Sequence, residues 1–367
     1  MSYSPSHLSS SSLTNSIVPS NMEEVKENSG KKSECSCSPE KGFSSRFLTD
    51  YQVIRCLGRG GFGVVMEARD RLVDIHYAVK RITLPNQQNA REKVMREVKN
   101  HARLGHQHIV RYYATWLECP PLGWQVNIIG SQVGAIDLMA DDSDTENTTP
   151  FATTSSMTLD TKVPKEYLYI AMELCSGGTL RNWLLANQKR PLKMIIKQFR
   201  QICSGVAYIH EQRLVHRDLK PENIFLTESG CLKIGDFGLA TRLKRPIGGP
   251  MRGKHGTPPL SHYVGTKLYM APEIENSSQE YDYKVDIFSL GIILLELLIP
   301  VSPDYELDEV VTKAKVGQYS KPLELKWRQL LERLLSHNPG GRPNAKWILR
   351  YSPKTPKPKT IRWVPTN

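Results

Sequence analysis

The residues His216-Arg217-Asp218-Leu219-Lys220-Pro221-Glu222-Asn223 bring an acid, an ammonium and an amide within six positions, and Asp236-Phe237-Gly238 begins thirteen residues beyond Asn223. Asp218 can accept the proton of an incoming hydroxyl. Lys220 can neutralise a moving phosphoryl group. Asn223 and Asp236 offer hard oxygens of the kind magnesium prefers. Such a reaction asks the protein for little covalent work, so placing charge and metal is most of the catalysis.

Two further groups fit that chemistry. Leu57 precedes Gly58-Arg59-Gly60-Gly61-Phe62-Gly63-Val64-Val65, a G-x-G-x-x-G-x-V run in which Gly58, Gly60 and Gly63 let a backbone approach phosphates without a Cβ in the way. A dinucleotide fold also carries G-x-G-x-x-G, but it needs a helix after the glycines, and strand-like sequence follows here. Tyr77-Ala78-Val79-Lys80 then places a lysine on a strand, with Glu97 on the following helical stretch. An ammonium that holds phosphates needs a carboxylate to fix it, and Lys80 with Glu97 has the spacing for that pair.

The elements that must position these groups follow from periodicity. Residues 51–84 alternate apolar and polar positions and predict three short antiparallel strands. Gln87–Leu104 has a helical pattern, Ile109–Leu117 and Tyr167–Leu174 read as strands, and Leu192–Ile209, Tyr281–Leu298, Leu325–Leu335 and Asn344–Leu349 read as helices. The expected domains are a disordered leader over 1–46, a folded domain over 47–350 and a basic, Pro-rich tail over 351–367. Residues 119–165, with Pro120, Pro121 and an acidic Ser/Thr-rich stretch, read as an insertion. The fold class is α+β: a small β-rich lobe with one main helix (47–174), a larger helical lobe (175–350), and a cleft between them.

Composition narrows the classes. Hydrophobic residues are 39% of 367, enough for a sizeable core. The seven cysteines suit free thiols in a reducing compartment. Net charge is +12, yet the basic residues are dispersed and no zinc-finger or RNP-type motif accompanies them, so no dedicated nucleic-acid site is expected. The most apolar run, Val285–Val301, contains Asp286 and Glu296 and is too short and charged for a membrane span. A cytoplasmic location is expected, or one at the endoplasmic reticulum if a membrane-bound form exists.

Together with Ala271-Pro272-Glu273 and Gly341-Arg342-Pro343, these motifs resemble the protein-kinase family. The resemblance covers about residues 47–350 apart from the insertion. It implies ATP and Mg2+ as cofactors. Lys220 after Asp218 is similar to the Ser/Thr class. It also implies Met172 as gatekeeper, adenine hydrogen bonds from the backbones of Glu173 and Cys175, and a ring sandwiched by Val65, Ala78 and Phe225. Glu273 is expected to pair with Arg342.

A narrower resemblance is to the kinases of the alpha subunit of translation initiation factor 2, closest to the PERK-like branch. It rests on stretches such as Leu48-Thr49-Asp50-Tyr51, Ala90-Arg91-Glu92-Lys93-Val94-Met95-Arg96-Glu97-Val98, Thr115-Trp116-Leu117-Glu118 and Lys284-Val285-Asp286-Ile287-Phe288-Ser289-Leu290-Gly291. It implies that subunit as substrate, translational repression under stress, and a homodimer through the small lobes. The helix around Asp308–Lys315 would be the docking element. Two departures stand out. No lumenal sensor or membrane span is visible, which leaves open a cytosolic form, a fragment or a diverged paralogue. His101, four residues after Glu97, replaces an aliphatic residue that normally stacks on Phe237, and it reads as a core histidine.

Arg217, with Arg242, Lys244 and Arg245, concentrates positive charge where a phosphate would order the segment after Asp236. By resemblance Thr266 is the best acceptor of that phosphate, with Ser261, Thr257 and Tyr263 behind it. The alternatives are a Ser/Thr kinase with another substrate, a catalytically silent kinase-like scaffold, and a nucleic-acid module. Retention of Lys80, Asp218 and Asp236 argues against the scaffold.

Overall fold

The computed structural model describes residues 43–60, 63–121, 165–238, 240–242, 267–275, 282–300, 305–319 and 323–351. A short helix α1 (Arg46–Asp50) leads into β1 (Tyr51–Gly60), β2 (Gly63–Asp70) and β3 (His76–Thr83). Helix α2 (Gln88–Ala102), β4 (Tyr112–Glu118) and β5 (Tyr167–Glu173) complete the small lobe. Its antiparallel sheet has the order β1-β2-β3-β5-β4. Strand β5 shows why its sequence is apolar throughout. Tyr167, Tyr169 and Ala171 face a cluster with Phe47, Met66, Val79 and Trp116, while Leu168 and Ile170 face Val98 of α2. A strand buried on both faces cannot alternate with polar residues.

Helix α1 lies ahead of the predicted strands and was not expected from periodicity. Its N-cap Ser45 accepts from Leu48 N, and Glu118 at the end of β4 holds it in place. Glu118 accepts from Ser45 Oγ at 2.7 Å, Phe47 N at 2.8 Å and Trp116 Nε1 at 2.9 Å.

The large lobe contains α3 (Leu180–Ala186), α4 (Leu192–Glu211), the pairs β6 (Leu214–Val215) with β9 (Thr241–Arg242) and β7 (Ile224–Leu226) with β8 (Leu232–Ile234), then α5 (Pro272–Glu275). Helices α6 (Lys284–Leu298), α7 (Tyr305–Lys315), α8 (Leu325–Leu334) and α9 (Ala345–Tyr351) follow. Helix α6 is apolar on all sides and buried from Val285 to Leu297, so it forms the axis of the large-lobe core. Gly291 allows this packing: a Cβ there would lie 2.7 Å from Leu335 Cδ2. No helix among the described residues is long and apolar enough to cross a membrane. The strand expected to begin at Ile109 begins at Tyr112, because Ile109 bridges Ile234 of β8 instead and ties the small lobe to the large one.

Candidate active site

Between the lobes is a cavity of about 550 Å³. Its walls include Leu57, Gly58, Gly63, Val65 and Ala78 from the small sheet, Lys80 and Glu97, then Met172, Glu173 and Cys175 where the chain passes to the large lobe. Phe225 and Asp236 close the far side. Of the thirteen positions expected along the nucleotide cleft outside the Asp218–Asn223 loop, twelve line it; the thirteenth is Gly60. It pairs with Gly63 across the β1–β2 hairpin, and Gly61 and Phe62 lie outside the described residues. Gly63 has φ +113°, and a Cβ there would fall 2.0 Å from Arg81 O, so only glycine fits.

Asp218, Lys220 and Asn223 form one constellation on the loop between β6 and β7. Asn223 Nδ2 donates to Asp218 Oδ2 at 2.8 Å and to Asp218 O at 2.9 Å, and Lys220 Nζ lies 3.1 Å from Asp218 Oδ2. The other carboxylate oxygen, Asp218 Oδ1, is buried without a hydrogen-bond partner. A buried acceptor left open in this way is costly unless something arrives to use it. Gly235 N donates to Asn223 O at 2.9 Å, which brings Asp236 beside this group. Commitment of Asn223 Nδ2 to Asp218 leaves Asn223 Oδ1 as the amide oxygen for a cation.

This loop is held from below by α6. Asp286 accepts from His216 N at 2.9 Å, Arg217 N at 2.8 Å and His210 Nε2 at 2.8 Å. Burial pushes the Asp286 carboxyl up, but the bonds from His210 and the nearby charge outweigh it and hold the group below the usual carboxylate range. Arg217 and Asp236 both have left-handed backbone, φ 68° and 53°, a conformation that costs non-glycine residues about 1–3 kcal/mol each and clusters at functional sites. Along the chain Asp286 only breaks a would-be membrane span and sits in one stretch of the family resemblance, with no role at the site. Its position inside an otherwise apolar helix was the available signal.

The expected Lys80–Glu97 pair is not formed. Lys80 Nζ instead donates to Asp236 Oδ1 at 2.9 Å, and among the described residues Glu97 has no ion-pair partner within 4 Å. Burial pushes the Glu97 carboxyl up to about 7, only partly offset by Lys93, Arg217 and Lys80. A carboxyl near neutrality competes poorly for an ammonium against a deprotonated aspartate. Burial also raises Asp236, but Lys80 more than compensates and keeps it below the ordinary aspartate value. Burial raises the Cys175 thiol to about 12, so it stays protonated at the cleft edge.

His101 is a core histidine, as read from the sequence. Its ring stacks on Phe237 at 4.7 Å, and its Nε2 lies 2.9 Å from Val110 O. Phe237 also meets the His216 ring edge-on at 5.1 Å, so helix α2 is linked through rings to the catalytic loop. The expected Glu273–Arg342 pair is present, with Arg342 Nη1 and Nη2 donating to the Glu273 carboxylate at 2.6 and 2.9 Å. Thr257, Ser261, Tyr263, Thr266, Lys244 and Arg245, and most of the 119–165 insertion, lie outside the described residues.

Comparison with known proteins agrees with this geometry. Residues 51–352 match the family model described as "Protein kinase domain". The chain is 38% identical over 308 residues to the interferon-induced, double-stranded RNA-activated protein kinase of Rattus norvegicus, covering 83% of this chain and 52% of that one. It is 34% identical over 341 residues to the eIF-2-alpha kinase GCN2 of Arabidopsis thaliana, covering 86% and 26%. It is 28% identical over 494 residues to the eukaryotic translation initiation factor 2-alpha kinase 3 of Bos taurus, covering 84% and 44%. The chain thus spans about half the length of the first of these relatives and less of the others. The matches spread over several branches and do not single out the PERK-like one. With its inter-lobe cleft, its Asp218–Asn223–Asp236 grouping and a family match over most of its length, the chain belongs to the protein kinase family.

Proposed function

We propose that this chain is a serine/threonine protein kinase that transfers the γ-phosphoryl group of ATP to the alpha subunit of translation initiation factor 2. The observation that carries the kinase reading is the open oxygen of Asp218. Its partner oxygen is held by Asn223 and Lys220, so Oδ1 is aimed and unsatisfied, ready to accept a hydroxyl proton. Lys220 beside it meets the charge of the transferring group. Asn223 Oδ1 and the Asp236 carboxylate fit Mg2+, a hard cation that takes oxygen ligands and keeps part of its water. Bound there, Mg2+ would neutralise phosphate charge. Val65, Ala78, Met172 and Phe225 supply an apolar slot for adenine, with the backbones of Glu173 and Cys175 at its edge. Leu57, Gly58, Gly60 and Gly63 cover the phosphates, and Lys80 holds them once Glu97 replaces Asp236 as its partner.

The substrate rests on the relatives, whose names describe kinases of eIF2α. A cytoplasmic site of action, a homodimer through the small lobes, and activation by phosphate on Thr266 or Ser261 belong to the same reading. Incubation with labelled ATP, Mg2+ and the purified alpha subunit tests it. Labelling that disappears in Asp218→Asn supports both parts. Autophosphorylation without labelling of the subunit removes the substrate, and no labelling of any protein removes the kinase. Thr266→Ala is expected to lower activity strongly; full activity in that variant rules out Thr266 as the switch.

A further inference from the structure

The second acid of helix α6, Glu296, is not used by the chemistry above. Its side chain is 2% exposed. A buried carboxylate needs partners, and it has two. Arg181 Nη1 donates to Glu296 Oε2 at 2.5 Å, and Tyr269 Oη donates to Glu296 Oε1. The same guanidinium reaches two other elements. Arg181 Nε donates to Glu222 Oε1 at 2.8 Å, and Nη2 donates to Tyr269 Oη. Three nitrogens of one planar fork therefore join α3, the end of the catalytic loop, the turn Lys267–Tyr269 and α6.

Arg181 is well placed to act as a rigid member. It lies inside the Thr179–Asn182 capping box, and its neighbours Leu180 and Leu184 are buried in the core, so its backbone is fixed. The turn it reaches is anchored a second time, because Ser289 Oγ donates to Tyr269 O at 2.8 Å. Asp286, which carries the start of the catalytic loop, lies three residues before Ser289 on the same helix. The catalytic loop and the Lys267–Tyr269 turn thus leave from adjacent turns of α6, and Arg181 braces them apart. Within this network Glu222 lines the cavity, as do Gly178, Thr179 and Asn182.

We propose that Arg181 is a positioning residue for the phospho-acceptor: it struts the Lys267–Tyr269 turn against the end of the catalytic loop and so sets where an acceptor hydroxyl meets Asp218. This rests on the kinase reading. A lysine keeps the charge but has one nitrogen and cannot span three acceptors.

The test uses the full chain, Arg181→Lys and Tyr269→Phe, with steady-state kinetics in acceptor and in ATP and hydrogen exchange over Lys267–Tyr269. The KM for acceptor is expected to rise about tenfold in Arg181→Lys and about fivefold in Tyr269→Phe, with the KM for ATP within about twofold. Exchange at the turn speeds up in both. Should Arg181→Lys fail to fold, Tyr269→Phe decides alone, because it leaves the buried Arg181–Glu296 pair in place. An acceptor KM unchanged in Tyr269→Phe, or an equal rise in both KM values, overturns the proposal. If the unmodified chain labels no acceptor, the kinase reading has failed, and exchange decides the strut: faster exchange at the turn upholds it and unaltered exchange removes it.

Discussion

Lys80 of the small sheet and Asp236 of the large lobe are joined by a 2.9 Å ion pair across the cleft. On the proposed function both groups are needed elsewhere when a nucleotide binds, the ammonium on phosphate and the carboxylate on the cation. Their mutual contact therefore neutralises two charges that face each other across the cleft. Glu97, half-buried and pushed towards neutrality, waits beside them as the alternative partner.

Asp236→Asn keeps the shape and removes the charge. Phosphoryl transfer is expected to fall by about 10² or more, the scale of losing one transition-state electrostatic contact. Circular dichroism melting should show a folded protein. Activity within tenfold of the unmodified chain would remove Asp236 from the metal site.

Glu97 should leave a signature in stability against pH. Its folded pKa of about 7 lies above the ordinary 4.5, so the neutral form is favoured on folding. That stabilisation is complete below pH 4.5 and is lost as pH rises through 7. Relative to Glu97→Gln, the unmodified chain should therefore lose melting temperature between those limits. Parallel curves for the two proteins would contradict the assignment.

Arg342 has no side-chain exposure and its partner Glu273 has 5%. Its Nε also donates to Ser336 O at 2.8 Å. Arg342→Ala strands a buried carboxylate and is expected to cost about 3–5 kcal/mol in denaturant unfolding. Arg342→Lys should recover less than half of that, since one ammonium cannot replace a bidentate fork.

Gly63→Ala forces a Cβ against Arg81 O at a positive φ. The hairpin must open, and nucleotide affinity by calorimetry is expected to fall about tenfold, with a stability loss of about 1–3 kcal/mol. Unchanged affinity would mean that the hairpin does not cover the phosphates.

Much of the site was legible along the chain because its groups stand in short runs. Asp218, Lys220 and Asn223 share one loop, and a loop of that length can converge on one point without help from distant sequence. The β1–β2 glycines and the strand lysine are also local features, set by period two, whereas the His101 packing position came from the family resemblance. Partner choice was not local. Lys80 could meet Glu97 or Asp236, and burial of Glu97 decided it, a quantity that exists only once α2 packs on the sheet.

The sequence by itself determined the lobes and the grouping of Asp218, Lys220 and Asn223, since these follow from periodicity and from contiguous chemistry, while the adenine-lining positions came from the family resemblance. Tertiary structure alone decided what the two acids of the Val285–Val301 run do. Along the chain Asp286 and Glu296 only spoil a membrane span. In the fold each is a charge in an apolar helix that can be tolerated only with partners, and the partners come from 27 to 115 residues away: the amides of His216 and Arg217 for Asp286, Tyr269 and Arg181 for Glu296. Desolvation makes such pairing obligatory, but only packing says with whom.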